Sequence, residues 1–171
     1  RPSTRWLARR GRRIRSVTGW QTTTETWHTV EAHLFADCSG DSILAPLSGA
    51  DFRIGREARA EFGESIEPRK ADTRTMGMSC LLQARETDRP QPYIPPPWAH
   101  RYRSDDDLPH RPHDFRGLNN FWWIELGGEQ DSIHDTEKIR DELMRIVMGV
   151  WDHIKNHGDH GAENWALSWL Q

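Results

Sequence analysis

Four stretches of this sequence hold residue types that can do chemistry. In "FADCSGDSILAPLSGA", residues 35–50, Gly40 has no Cβ, so neighbouring backbone N–H groups can approach pyrophosphate or ribose oxygens, while Asp41 and Ser39 add side-chain acceptors for a hydroxyl. The same spacing suits a plain strand-to-helix turn, with Asp41 capping a helix that opens at Ser42. In "GREAR", Arg56 and Arg59 flank Glu57, where a guanidinium fork either pairs with an anionic group or faces water on a helix surface. In "TMGMS", Gly77 stands among apolar strand residues, where a nearby ligand, a close backbone or a bulge explains the missing Cβ.

The fourth stretch, "WDHIKNHGDH", gathers Asp152, His153, His157, Asp159 and His160. His153 and His157 are four apart, as paired zinc ligands on a helix face are. The stretch lacks the Glu beside the first His of H-E-x-x-H, and His near a helix C-terminus is favourable without a metal. The acids Asp105, Asp106 and Asp107 of "SDDDLPHRPHD" read as a solvated run in a Pro-rich loop. No metal is assigned on these grounds. No Ser-His-Asp order, P-loop or glycosidase carboxylate pair stands out.

Elements must position these residues. Alternation over Arg12–Thr18 and Glu25–Ala36, on either side of "TGWQTTT", predicts a β-hairpin whose second strand turns continuously apolar at Leu34, Phe35 and Ala36, as if entering a buried sheet. Ile43, Leu44 and Leu47 then make a short helical stripe closed by Gly49, with Pro46 expected to distort it. "REARAEFGE" predicts one or two helical turns ended by Gly63, and "RTMGMSCLLQARE", Arg74 to Glu86, a strand. Residues 87–119 hold seven Pro and are irregular, but Tyr93, Trp98, Tyr102 and Phe115 predict a loop that wraps and packs. "NNFWWIELGG" reads as a strand. Asp135 caps a helix with Ile139, Leu143, Ile146, Val147, Val150, Trp151 and Ile154 on one face and Gly158 at its end. "AENWALSWL" alternates as a strand does.

The totals set bounds. With 171 residues the chain can bury a core, and a formal charge of −3 gives it no general attraction to nucleic acid or anionic membrane. Seven Arg and no acid fall in Arg1–Arg15, but this segment has no apolar targeting core and runs into a strand pattern. No run approaches the ~18 apolar residues of a membrane helix. The chain opens on Arg and stops within the apolar "ALSWLQ", so it reads as a piece of something longer. Cys38 and Cys80 are expected to be buried, reduced thiols. Nine Trp suit an aromatic core or, in a second reading, a carbohydrate-binding module stacking sugars on Trp98, Trp122, Trp123 and Trp165.

From "FADCSGDSILAPLSGADFRIGREARAEFGES" onward, through "TMGMSCLLQAR", "PPPWA", "WWIELGGEQDSI", "IRDELMRIVMGVWDHIKNHG" and "AENWALSW", the sequence resembles the bacterial FAD-dependent oxidoreductase family, whose broader relatives include the flavin subunit of heterodisulfide reductase. The resemblance implies an α/β (mixed α+β) fragment of a flavoenzyme: residues 1–49 the return segment of a Rossmann-like FAD domain, residues 50–171 part of a sheet-plus-helix substrate domain. It implies FAD as cofactor, contacted by Cys38, Ser39, Gly40 and Asp41, and a small-molecule substrate near Arg56, Glu57 and Gly77, with no nucleic-acid or membrane partner. The G-x-G-x-x-G turn that binds the pyrophosphate in such domains is absent from the sequence.

Overall fold

Alternating strands open the chain. The computed structural model describes residues 4–11, 13–116 and 123–170, and the chain divides into two compact units, Arg1–Ile54 and Gly55–Gln171. In the first unit β1 (Thr4–Arg10), β2 (Arg13–Gln21) and β3 (Thr26–Glu31) form an antiparallel sheet in that order. The expected hairpin is β2–β3, in register with Val17 opposite Val30 and Trp20 opposite Trp27. The Trp20 and Trp27 rings meet at 5.1 Å, and the Thr18 and Thr29 hydroxyls share a hydrogen bond of 2.8 Å on the same face.

β3 stops at Glu31, earlier than its alternation predicts. Leu34, Phe35 and Ala36 enter no sheet among the described residues, and Leu34 is almost fully exposed, because no neighbouring strand there offers a ladder. The short helix follows as α1 (Leu44–Ser48), ended by Gly49 in the left-handed region at φ 69°. Because α1 starts at Leu44 and not Ser42, Pro46 falls within the first turn, where its missing N–H costs no intrahelical bond. The distortion expected there is avoided.

The second unit is built on α3 (Thr136–Asp152), whose buried Ile139, Leu143, Val147, Val150 and Trp151 form the anticipated stripe. Asp135 occupies the N-cap position without a side-chain capping bond; Asp131 instead accepts from the N–H groups of Ile133 and His134 at 3.0 Å each. The helix runs on into a π-turn over His153–His157, closed by the Gly158 N–H on the His153 carbonyl at 3.0 Å, and Ile154 extends the buried stripe.

Three layers cover that stripe. The single strand expected over Arg74–Glu86 is two, because each half pairs elsewhere: β4 (Met78–Ser79) with β6 (Glu125–Leu126), and β5 (Leu82–Glu86) with β7 (Trp165–Leu170), all antiparallel. Cys80 between them is buried and donates its N–H to Ile124; the other thiol, Cys38, is exposed, contrary to expectation, because the turn that carries it lies on the surface. The first residues of "NNFWWIELGG" lie outside the described residues.

The Pro-rich loop supplies the third layer. Phe115 is buried edge-on against Trp151 and Trp165, at 6.0 and 4.9 Å, and the Tyr93 hydroxyl donates to the Met148 carbonyl at 3.3 Å. Lys155 clamps the other side: its ammonium donates to the carbonyls of Ala162, Glu163 and Trp165 at 2.5, 3.0 and 2.9 Å. Trp151 alone among the described Trp is fully buried; Trp27, Trp98 and Trp169 are exposed, so the aromatic-core expectation holds for part of the set only.

Ahead of these layers, α2 (Arg59–Phe62) ends at Gly63 as its sequence predicts, and a β-bridge joins Arg56 to Asp72. Their backbones exchange two hydrogen bonds of 3.0 and 3.1 Å, and Arg56 Nε donates to Asp72 Oδ1 at 3.0 Å in a forked pair. Gly55 is required here: at φ 96°, a Cβ would lie 2.1 Å from the Asp72 carbonyl oxygen.

Two outcomes follow from these contacts. Gly149 lies under the Pro-rich loop, where a Cβ would come within 2.4 Å of the His100 carbonyl oxygen. Gly to Ala in a helix ordinarily stabilises by about 1 kcal/mol; Gly149→Ala is expected to destabilise by about 1–3 kcal/mol, read from the urea midpoint. The Arg56 hydrogen bond holds the Asp72 carboxyl down at about 2. A depressed carboxyl stabilises the fold above its ordinary range and loses that contribution as pH falls through its folded value, so NMR titration is expected to find Asp72 ionised at about pH 3, where Arg56→Ala restores ordinary titration.

Candidate functional site

The turn at residues 37–44 is organised by hydrogen bonds that its sequence hides. Asp37, not Asp41, performs the capping: its carboxylate accepts from the Ser39 N–H at 3.0 Å and the Leu44 N–H at 2.7 Å. The Ser39 hydroxyl accepts from the Ile43 N–H at 3.1 Å. The Ser39 side chain, then the Leu44 and Ser39 N–H groups, hold the Asp37 carboxyl below its ordinary range.

With the Asp37 carboxylate and the Ser39 hydroxyl engaged by the turn's own backbone, other polar groups are left free of such bonds. Gly40 at φ 85° and Ser42 at φ 51° take left-handed conformations, and the space where a Gly40 Cβ would stand is open. Among the described residues the N–H groups of Gly40, Asp41 and Ser42 and the Asp41 carboxylate have no protein hydrogen-bond partner. Cys38 is exposed beside them. The turn borders an apolar cleft of about 440 Å³ between the β2–β3 face, through Val17, Trp20 and Val30, and Phe35, Ala36 and Leu44.

In the second unit Arg56, Arg74, Thr75, Met76 and Gly128 line a cleft of about 480 Å³. Both guanidinium groups are paired, Arg56 with Asp72 and Arg74 with Glu129. Glu57 is half-buried, and Arg59 turns back to the carbonyl of Ser65 at 2.9 Å. At Gly77 a Cβ would meet Glu125 Oε1 at 2.6 Å and the Leu126 carbonyl at 3.0 Å, so close approach of β6 accounts for this glycine.

The histidine-rich stretch divides. His157 pairs with the buried Asp152, Nε2 to Oδ2 at 3.3 Å, away from its neighbours. His153, fully buried, and His160 meet two residues of the Pro-rich loop instead, His113 and Asp105. Asp105 opens a single 3₁₀ turn whose capping box joins Ser104 to Asp107. Arg116 holds the far loop, donating to the carbonyls of His160 at 2.8 Å and Gly161 at 3.1 Å. Burial, followed by the charge of His153, pushes the His160 imidazole below its ordinary pKa. Sequence spacing could not disclose this foursome, because its members lie up to 55 positions apart and meet only when the loop folds across α3.

The three described Trp of the set offered as sugar platforms stand in different surroundings. Trp165 packs edge-on to Phe115, Trp123 is partly buried against the core, Trp98 stands exposed and Trp122 lies outside the described residues. No curated protein and no solved structure matches the chain. The family described as FAD dependent oxidoreductase matches residues 4–171. That match takes in both units, the exposed Ser-Gly-Asp turn and the helix-centred core alike; the chain belongs to the FAD-dependent oxidoreductase family, with FAD as its cofactor.

Proposed function

We propose that this chain carries one half of an FAD site, with Cys38, Ser39, Gly40 and Asp41 at the ribose-pyrophosphate region of the cofactor. The carrying observation is the division of labour in the turn. Asp37 and Ser39 hold the backbone, which leaves three successive N–H groups, at Gly40, Asp41 and Ser42, and the Asp41 carboxylate exposed together. Such donors suit pyrophosphate oxygens and such an acceptor suits a ribose hydroxyl. In this reading Ser39 and Cys38 shape the turn, and the neighbouring apolar cleft excludes water from the cofactor's flank.

Bound FAD supplies the redox chemistry, taking up or releasing a hydride or electrons from a small-molecule substrate. The protein's part is to bind and orient. The apolar run Leu34–Phe35–Ala36, with Leu34 exposed and no ladder partner among the described residues, supports a Rossmann-like setting in which further strands pair with it. The complementary pyrophosphate turn, G-x-G-x-x-G, then comes from outside these 171 residues. Residues 55–171 belong to the substrate domain in this reading, with the cleft that Arg56 lines, near Glu57 and Gly77, as the substrate's place. The block "FADCSGDS" and those after it support the flavin subunit of heterodisulfide reductase as kin within the family.

Among the described residues the Asp41 side chain has no hydrogen-bond or ion-pair partner, so its removal separates cofactor binding from stability. For the protein expressed from its complete reading frame, Asp41→Ala is expected to weaken FAD binding by about tenfold or more, the worth of a charge-assisted hydrogen bond, with the apoprotein melting temperature unchanged. Flavin fluorescence titration checks this. An unaltered FAD affinity removes Asp41 from the site, and a purified protein that takes up no FAD overturns the whole assignment.

A further inference from the structure

We propose that Asp105, His113, His153 and His160 form a four-coordinate binding site for a divalent transition metal of the zinc class, with a structural role. The proposal stands apart from the FAD site and does not depend on it. Its first support is convergence. His153 Nε2 lies 3.2 Å from His113 Nδ1, 3.1 Å from His160 Nε2 and 3.1 Å from Asp105 Oδ1. Asp105 Oδ1 lies 3.5 Å from His113 Nδ1 and 3.6 Å from His160 Nε2, and all four atoms fall within 4.8 Å of one another. Zinc bonds of about 2.0–2.1 Å in a tetrahedron place ligand atoms about 3.3–3.4 Å apart. Five of the six separations, 3.1–3.6 Å, bracket that edge.

The second support is the direction of the protons. His153 Nδ1 faces the Tyr102 carbonyl at 3.2 Å and His113 Nε2 faces the Leu108 carbonyl at 3.0 Å. A carbonyl only accepts, so both outer nitrogens carry the hydrogen, and in the neutral rings that ligate a metal the inner nitrogens present the lone pairs. Two lone pairs and a carboxylate oxygen therefore point at one small volume. A single proton on His160 Nε2 satisfies at most part of this set, whereas one cation satisfies all of it. The outer hydrogen bonds are those that orient metal-bound imidazoles and fix their tautomer.

The fold makes room for the fourth ligand. Gly158 closes the π-turn with its Cβ position only 2.0 Å from His160 Nε2, so any side chain there would displace the ring. π-turns often mark functional positions in helices. The ligands come from three segments: the 3₁₀ turn, the end of the Pro-rich loop, and the C-terminal end of α3 with its following loop. Four protein ligands fill a tetrahedron, the signature of a structural rather than a catalytic zinc site. The metal ties residues 105–113 to the buried His153. The carboxylate is the exposed ligand, and the site borders an open cleft of about 690 Å³ that Arg111, Arg116 and Asp159 also line.

The test is zinc titration of the full chain against a chromophoric chelator, followed by thermal melting with and without EDTA. One zinc per chain is expected, with a melting temperature raised by several degrees and lowered again by EDTA. Asp105→Ala and His160→Ala are each expected to weaken zinc binding at least tenfold, since even loss of an outer-shell partner costs 10–100-fold. His157→Ala, outside the cluster, leaves it unchanged. Cobalt in place of zinc is expected to give the intense visible absorption of a tetrahedral ion. No zinc uptake, equal uptake in both ligand variants, or a weak six-coordinate cobalt spectrum overturns the site. If His160→Ala fails to fold, the exposed Asp105→Ala decides alone.

Discussion

A helix with a broad apolar face cannot persist alone in water, and covering that face on α3 is the constraint on which the second unit depends. Burial of each large side chain is worth about 1.5–3 kcal/mol, and Trp151, Ile139, Leu143 and Ile154 are all fully or nearly fully enclosed. Two short antiparallel pairs cover part of the face, and a loop covers the rest. That loop has few backbone partners of its own, so Tyr93 and Phe115 secure it by ring contacts and a hydroxyl bond to the helix.

The chemistry of this unit is a consequence of the same covering. His153 is drawn into the core at the end of the buried stripe, where a lone polar ring needs partners. The Tyr102 carbonyl meets one nitrogen, and Asp105, His113 and His160 gather about the other. Gly149 lets the loop lie close to the helix, and Gly158 lets His160 lie close to its end. Along α3 and its end, glycine acts at both places by removing a Cβ from a crowded contact.

The first unit solves a different problem. A turn that must both hold its shape and offer polar groups outward needs two sets of polar atoms. Asp37 and Ser39 form the inner set, Gly40 and Asp41 the outer. The sequence shows both sets side by side but not their roles, because Asp37 and Asp41 are equally able to cap and only the path of the chain chooses between them. The choice moved the helix start from Ser42 to Leu44 and removed the conflict with Pro46.

Local patterns determined much of this protein. The β2–β3 hairpin, the α3 stripe, the Gly49 and Gly63 helix ends and the wrapping Pro-rich loop all follow from periodicity, turn residues and aromatic spacing, signals that act within a few residues. Long-range pairing decided the rest. Strand ladders split Arg74–Glu86 into β4 and β5, Asp72 engaged Arg56, and β6 explained Gly77. The Asp105, His113, His153 and His160 cluster belongs to the same class. Helical spacing tied His153 to His157, yet the loop folded over α3 supplied His153 with other partners, because proximity in space is set by which apolar surfaces are buried together and not by separation along the chain.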